Sequence, residues 1–161
     1  MLGKSLYCAG HSLRMKTPIS ALLQAKPRVL HTIAPTATVQ EAVGIMNSRK
    51  IGCLIVLENE RLAGIFTERD VLTRVVAGGL DPRSCTVASV MTTDLRTITP
   101  DTALDEAMLL ISEKRVRHLP VVENERVTGL VSIGDINKWA VDHLKFETES
   151  LRSYVAGGYP G

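Results

Sequence analysis

Aromatic side chains are scarce in this sequence, with one Trp, three Tyr and two Phe among 161 residues. A core built without them must be aliphatic, and a platform for stacking unpaired bases is missing too, so nucleic acid is not an expected partner. Cysteine is also sparse. Cys8, Cys53 and Cys85 are an odd number with no Cys-x-x-Cys spacing, which argues against a disulfide framework or zinc site and points to a reducing compartment. No hydrophobic run approaches the ~20 residues that cross a bilayer, because charged residues interrupt every one. A Walker loop, a nucleophile elbow and a metal-ligand cluster are all missing, so no enzymatic chemistry is indicated and no cofactor is required.

Acidic residues are absent from positions 1 to 40, which carry Lys4, Arg14, Lys16, Lys26 and Arg28. The whole chain is +2, so the remainder is net −3. An acid-free basic leader suits an organelle transit peptide, but serines are few and neither an h-region nor a cleavage site is evident. The expectation is a cytoplasmic protein with an extension over residues 1–27, an organelle being the alternative.

What is present is a repeat. Shifting the chain by 65 aligns residues 32 to 71 with 97 to 136 without a gap, and thirteen of those forty positions are identical. Both copies contain Glu-Asn-Glu-Arg, at 58–61 and at 123–126. Such units bury their apolar faces against each other, so one two-lobed globule is expected. Each unit reads β-α-β-β-α. Thr-Ile-x-Pro leads into apolar stripes at Val39, Ala42, Val43 and Met46, and at Leu104, Ala107, Met108 and Ile111, which predict amphipathic helices. The runs at 53–57 and 118–122 read as strands, and the ENER tetrapeptides as solvated hairpin turns pointing away from the inter-unit cleft. Thr67-Glu-Arg-Asp70 and Ser132-Ile-Gly-Asp135 have the form of capping boxes. Residues 80–96 form a partly structured linker. A long helical stripe follows the second unit through Trp139, Leu144, Leu151 and Val155, with a stop at Gly157-Gly158, and its apolar face suggests a homodimer contact.

This order of motifs resembles the cystathionine-β-synthase (CBS) domain as a tandem pair, over residues 28 to about 145. It is most similar to small stand-alone pairs with TERD in one unit, SIGD in the other and a Tyr-x-x-Gly-Gly tail. The resemblance implies an α+β fold, two units packed with pseudo-two-fold symmetry in a Bateman module, divided as 28–79 and 97–145, with 146–161 as a helix end and tail. It also implies a nonenzymatic regulatory module that holds an adenine nucleotide between its units: AMP above all, with ADP, ATP, NAD or S-adenosylmethionine as further candidates. The regulated protein is unknown, and the alternative is an interaction adaptor without an obligatory ligand.

An ionised Asp can accept hydrogen bonds from both ribose hydroxyls, and the start of a helix favours phosphate. By resemblance Asp70 and Asp135 take the ribose, and Thr67 and Ser132 the phosphate. Arg117 and His118, ahead of the second hairpin, are candidate phosphate ligands of the second cleft. Gly52-Cys53 replaces them in the first copy, where Arg69 would supply the cation. Ile33 and Ile98 are candidate adenine walls, and His31 and Cys53 complete the set. The two clefts are expected to bind unequally.

Overall fold

The computed structural model describes residues 16–27 and 29–156, without the side chains of 146, 147 and 150–156. The leader up to residue 15 and the Gly157-Gly158 stop of the tail motif fall outside the described positions, and Tyr154 is described in its backbone alone.

The repeat is reproduced element by element. In the first unit, β1 (Thr32–Ile33) lies parallel to β2 (Cys53–Glu58), which pairs antiparallel with β3 (Arg61–Thr67). Helix α2 (Val39–Arg49) connects β1 to β2. The second unit has α5 (Leu104–Lys114), then β4 (His118–Glu123) antiparallel to β5 (Arg126–Ser132), with Ile98 bridging parallel to Val121 in the place of β1. Register repeats at the same shift of 65: Cys53 faces Thr67 as His118 faces Ser132, and each hairpin carries one irregularity, after Val56 and after Val121.

The turns repeat as well. Asn59-Glu60 and Asn124-Glu125 all have positive φ, between 49° and 64°. That is the backbone twist a two-residue hairpin demands, and Asn is among the residues that tolerate it. Asn59 to Arg61 and Asn124 to Arg126 meet each other across the units, a contact the sequence did not suggest. Arg61 reaches Glu125 at 3.4 Å and Arg126 reaches Glu60 at 3.5 Å, so each ENER turn is ion-paired with its copy. The sheets meet through β3 and β5, which brings the two tips side by side.

After each hairpin a Ser or Thr caps a helix. Asp70 closes α3 (Glu68–Asp70), which continues as a π-helical run, Val71–Val76. Asp135 closes the start of α6 (Ile133–Ala156). No helix among the described residues is long and apolar enough to cross a membrane.

The short helices ahead of each unit dock on the other unit. Helix α1 (Ile19–Gln24) precedes the first unit, yet Ile19 and Leu22 are buried with Ile98, Leu104, Leu119 and Ile136 of the second. Helix α4 (Val87–Val90), in the linker, sends Val87 and Val90 into the core of Ile33, Val39, Leu54 and Phe66 in the first. Backbone bonds mirror this exchange. Ile19 N–H donates to Thr102 and Leu104 N–H to Thr17, while Val87 N–H donates to Ala37 and Val39 N–H to Cys85. Residues 16–27, expected to be an extension, are therefore part of a core.

The close approach of these segments explains two glycines. A Cβ on Gly64 would sit 2.7 Å from Met91 Sδ and 2.9 Å from the Thr92 carbonyl, which is bridged to β3. On Gly129 its three nearest atoms would all belong to the Leu23 side chain, with both methyl ends at 2.8 Å. Overpacking costs ~1–3 kcal/mol when backbone must move and less when a side-chain tip can turn. Gly64→Ala is therefore expected to lower the urea midpoint clearly, and Gly129→Ala by less; equal midpoints would contradict this packing.

Candidate functional site

Two clefts open between the units, and each draws its walls from both. The larger, of about 640 Å³, is bordered by Ser132 and Asp135 of the second unit, by Ile51, Gly52 and Cys53 of the first, and by Val29, Leu30 and His31 ahead of β1. The smaller, of about 520 Å³, has Thr67, Arg69 and Asp70 of the first unit facing Val116, Arg117 and His118 of the second. Gly52 and His118 border both clefts.

This corrects the sequence-based grouping of Arg117 with Asp135. Arg117 lies in the Asp70 cleft, and Gly52-Cys53 line the Asp135 cleft, because the end of α5 in one unit lies over the helix start of the other. Ile33 and Ile98 line neither cleft. Both are buried in the cores beneath α2 and α5, 9% and 5% exposed, so the sequence-based assignment of these two as adenine walls fails. Strand alternation sends them inward, and the apolar wall of the larger cleft comes instead from Val29, Leu30 and Leu23.

The two aspartates perform the same structural task. In each, Oδ2 accepts from the backbone N–H of the capping residue at 2.8 Å and from its hydroxyl, 2.7 Å for Thr67 and 2.8 Å for Ser132. Their remaining capacity differs. Oδ1 of Asp70 accepts from the Thr92 hydroxyl at 3.0 Å and lies 3.5 Å from Arg74, and the residue is 4% exposed. Arg74 also donates to the last carbonyls of α4, at Val90 and Met91. Asp70 is thus a saturated structural carboxylate.

Asp135 is open. Its side chain is 30% exposed, and Oδ1 accepts no hydrogen bond from the described residues. Lys26, just beyond α1, donates to Asp135 Oδ2 at 2.8 Å and to the Leu130 carbonyl at 2.7 Å. An ammonium has three donors, so one remains. The larger cleft therefore presents a free acceptor beside a free donor on an apolar wall.

Electrostatics follow from this geometry. Burial opposes ionisation of Asp135, but the Lys26 hydrogen bond, the Ser132 amide and hydroxyl and the Lys26 charge outweigh it, holding the carboxyl below its ordinary range. Burial pushes His118 down, against the pull of Asp135, which favours the neutral ring at pH 7. Burial, helped by the Asp70 charge, pushes the Cys53 thiol up to about 12, so Cys53 is an unreactive wall. No group of His, Cys, Asp and Glu suited to a metal exists among the described residues.

Sequence reasoning missed Lys26, Thr92, Lys114 and Arg115 at these clefts. A signal for the first two was present. Ile19, Leu22 and Leu23 share the i, i+3, i+4 stripe of Val87, Val90 and Met91 at a shift of 68, three more than the repeat, so a gapless comparison at 65 passed over it.

Comparison with known proteins agrees with the family resemblance. The family model of the CBS domain matches residues 17–77 and 87–142. The CBS domain-containing protein CBSX3, mitochondrial, of Arabidopsis thaliana is 39% identical over 127 residues, covering 76% of this chain and 62% of its own length; the match thus spans under two thirds of that relative. The CBS domain-containing protein YhcV of Bacillus subtilis is 34% identical over 117 residues, 73% of this chain and 81% of its own. The solved structure of a CBS-domain containing protein from Agrobacterium tumefaciens superposes with a TM-score of 0.73 at 34% identity, covering 77% of this chain and 99% of that one. With two family matches, one on each side of the linker, and the duplicated β-α-β-β-α architecture, the chain belongs to the CBS-domain family as a tandem pair of units.

Proposed function

We propose that this protein is a nonenzymatic regulatory module that senses an adenosine-type nucleotide, with AMP the first candidate, and that it binds the nucleoside in the Asp135 cleft. One observation carries this reading: Asp135 Oδ1 is an unused acceptor beside the Lys26 ammonium, in a cleft large enough for a nucleoside. A ribose hydroxyl is both donor and acceptor, so it can satisfy the pair together. Leu23, Val29 and Leu30 offer an apolar slot for the base, and the Ser132 hydroxyl at the start of α6 lies where phosphate is favoured. Binding would act by favouring one packing of the units.

A second copy of the chain is the proposed partner, with an unidentified regulated protein beyond it. Val76 and Val141, at equivalent positions of the two units, are 66% and 50% exposed, and Leu72 and Leu144 lie near them in sequence on the same helical segments. Residues 1–16 contain three basic residues and no acid, and the Arabidopsis relative is mitochondrial by name; together these support the organelle alternative for location.

Asp135→Asn is expected to weaken adenosine and AMP binding by about tenfold or more in calorimetry, the size of a charge-assisted hydrogen bond. Asp70→Asn should lower stability and leave that affinity in place; no heat with either ligand on the unmodified chain would refute the nucleoside reading. Lys26→Met removes a cause of the lowered Asp135 pKa. A depressed carboxyl stabilises the fold above its unfolded value, 3.8, and loses that contribution as pH falls through the folded pKa. The variant should therefore melt below the unmodified protein at pH 7, with the gap narrowing below about pH 4; a gap that widens in acid would exclude this linkage. Val141→Glu with Leu144→Glu should convert a dimer to a monomer in sedimentation, and an unchanged sedimentation coefficient would remove the dimer from the proposal.

A further inference from the structure

We propose, resting on the reading in which the free Asp135 oxygen takes a ribose, that the Thr92 hydroxyl limits this chain to a single nucleoside. It does so by filling, on Asp70, the acceptor whose counterpart on Asp135 stands open.

An ionised carboxylate offers about four acceptor positions over its two oxygens. On both aspartates Oδ2 is spent on the capping residue, through the amide and hydroxyl of Thr67 or Ser132. The difference lies at Oδ1. On Asp70 it accepts from the Thr92 hydroxyl at 3.0 Å, the one hydrogen bond that this oxygen receives among the described residues. The Arg74 guanidinium stands 3.5 Å away, at ion-pair distance. A cation beside the carboxylate is common to both sites, since Lys26 holds Asp135, so charge does not separate them. The threonine hydroxyl does.

Backbone geometry explains why only one cleft has such a hydroxyl. The docked helices α1 and α4 correspond at a shift of 68. Thr17 and Cys85 accept from Leu104 and Val39, and Ile19 and Val87 donate to Thr102 and Ala37, each pair being equivalent in the two units. The same shift makes Gln24 the counterpart of Thr92. Past that point the chains diverge. Thr92 bridges Ile65 in both directions, at 2.9 and 3.0 Å, and this main-chain bridge carries its side chain to Asp70. Leu130 is the counterpart of Ile65, and its carbonyl is taken at 2.7 Å by the Lys26 ammonium. One lysine side chain thus replaces the main-chain donor and reaches the carboxylate too, and no hydroxyl arrives with it. Gln24 borders the larger cleft, exposed, and donates nothing to Asp135.

Apart from this closure, the Asp70 cleft resembles its neighbour. It has about 520 Å³, an apolar border at Ile65 and Val116, and the same capped aspartate. Removing one hydroxyl therefore frees an acceptor in a cleft already shaped for a nucleoside.

The test counts bound adenosine by calorimetry on the full chain, using a ligand without phosphate so that the basic side chains of the Asp70 cleft do not govern the result. The unmodified protein is expected to bind one adenosine. Thr92→Ala should bind two, keeping the first at unchanged affinity, which also reports that the variant is folded. Thr92→Ser retains the hydroxyl and should bind one, separating the lost acceptor from a loosened bridge. Thr92→Ala combined with Asp70→Asn should return to one. At the added site, 2′-deoxyadenosine should bind about tenfold or more weakly than adenosine, the size of one hydrogen bond to a charged group. Two adenosines on the unmodified chain or on Thr92→Ser, or a second adenosine that survives Asp70→Asn, would overturn the proposal. Loss of the first adenosine in Thr92→Ala would overturn it as well, because Thr92 would then serve the Asp135 cleft. One adenosine on both the unmodified chain and Thr92→Ala would refute the Thr92 assignment alone, whereas none on the unmodified chain would refute the nucleoside reading and this one with it.

Discussion

Neither unit of this chain can complete its own core. The first needs Val87 and Val90 from the helix after it, and the second needs Ile19 and Leu22 from a helix almost eighty residues ahead. Burying an aliphatic side chain contributes ~1.5–3 kcal/mol, so the four exchanged residues represent a large share of a typical domain's net stability. Everything between the units depends on that reciprocal loan. It draws the sheets together, brings β3 against β5, and positions the clefts so that each has one wall from each unit.

The same exchange differentiates the two aspartates. Thr92 follows α4 and Lys26 follows α1, so the residues that reach Asp70 and Asp135 arrive on segments outside the internal repeat. A hydroxyl and a saturated carboxylate seal one helix start. An ammonium and a half-open carboxylate leave the other able to accept a ligand. The repeat therefore supplies equal frames, and the connecting segments give them unequal chemistry.

Much of the frame was legible in the sequence. The 65-residue period, the capping boxes and the stripes of α2 and α5 are local signals, and the structure follows them residue for residue. The site was legible in part. Asp135, Ser132 and His118 line the larger cleft together, as members of one copy, whereas Cys53, grouped by sequence with the first copy's aspartate, and His31, grouped with neither, line it too. Arg117 was assigned to the wrong aspartate because sequence proximity within one copy says nothing about which wall a pseudo-two-fold axis will place opposite. Ile33 and Ile98 were misread because the two-residue β1 and the single bridge at Ile98 are too short for their alternation to be read from the sequence. Lys26 was hidden in a basic leader, where its charge looked like part of a run.

The paired hairpin tips explain the most conspicuous identity in the chain. A segment that must bind its own copy around a two-fold axis has to be its own complement, which requires an acid and a base at adjacent positions in the same order in both copies. Glu60-Arg61 and Glu125-Arg126 meet that condition. A reversed sign in one copy would put like charges together, and only a matching change in the other would restore attraction. Letter-for-letter repetition at these tips is thus a parity rule imposed by symmetry, and it holds even though each contact is too exposed to add much stability.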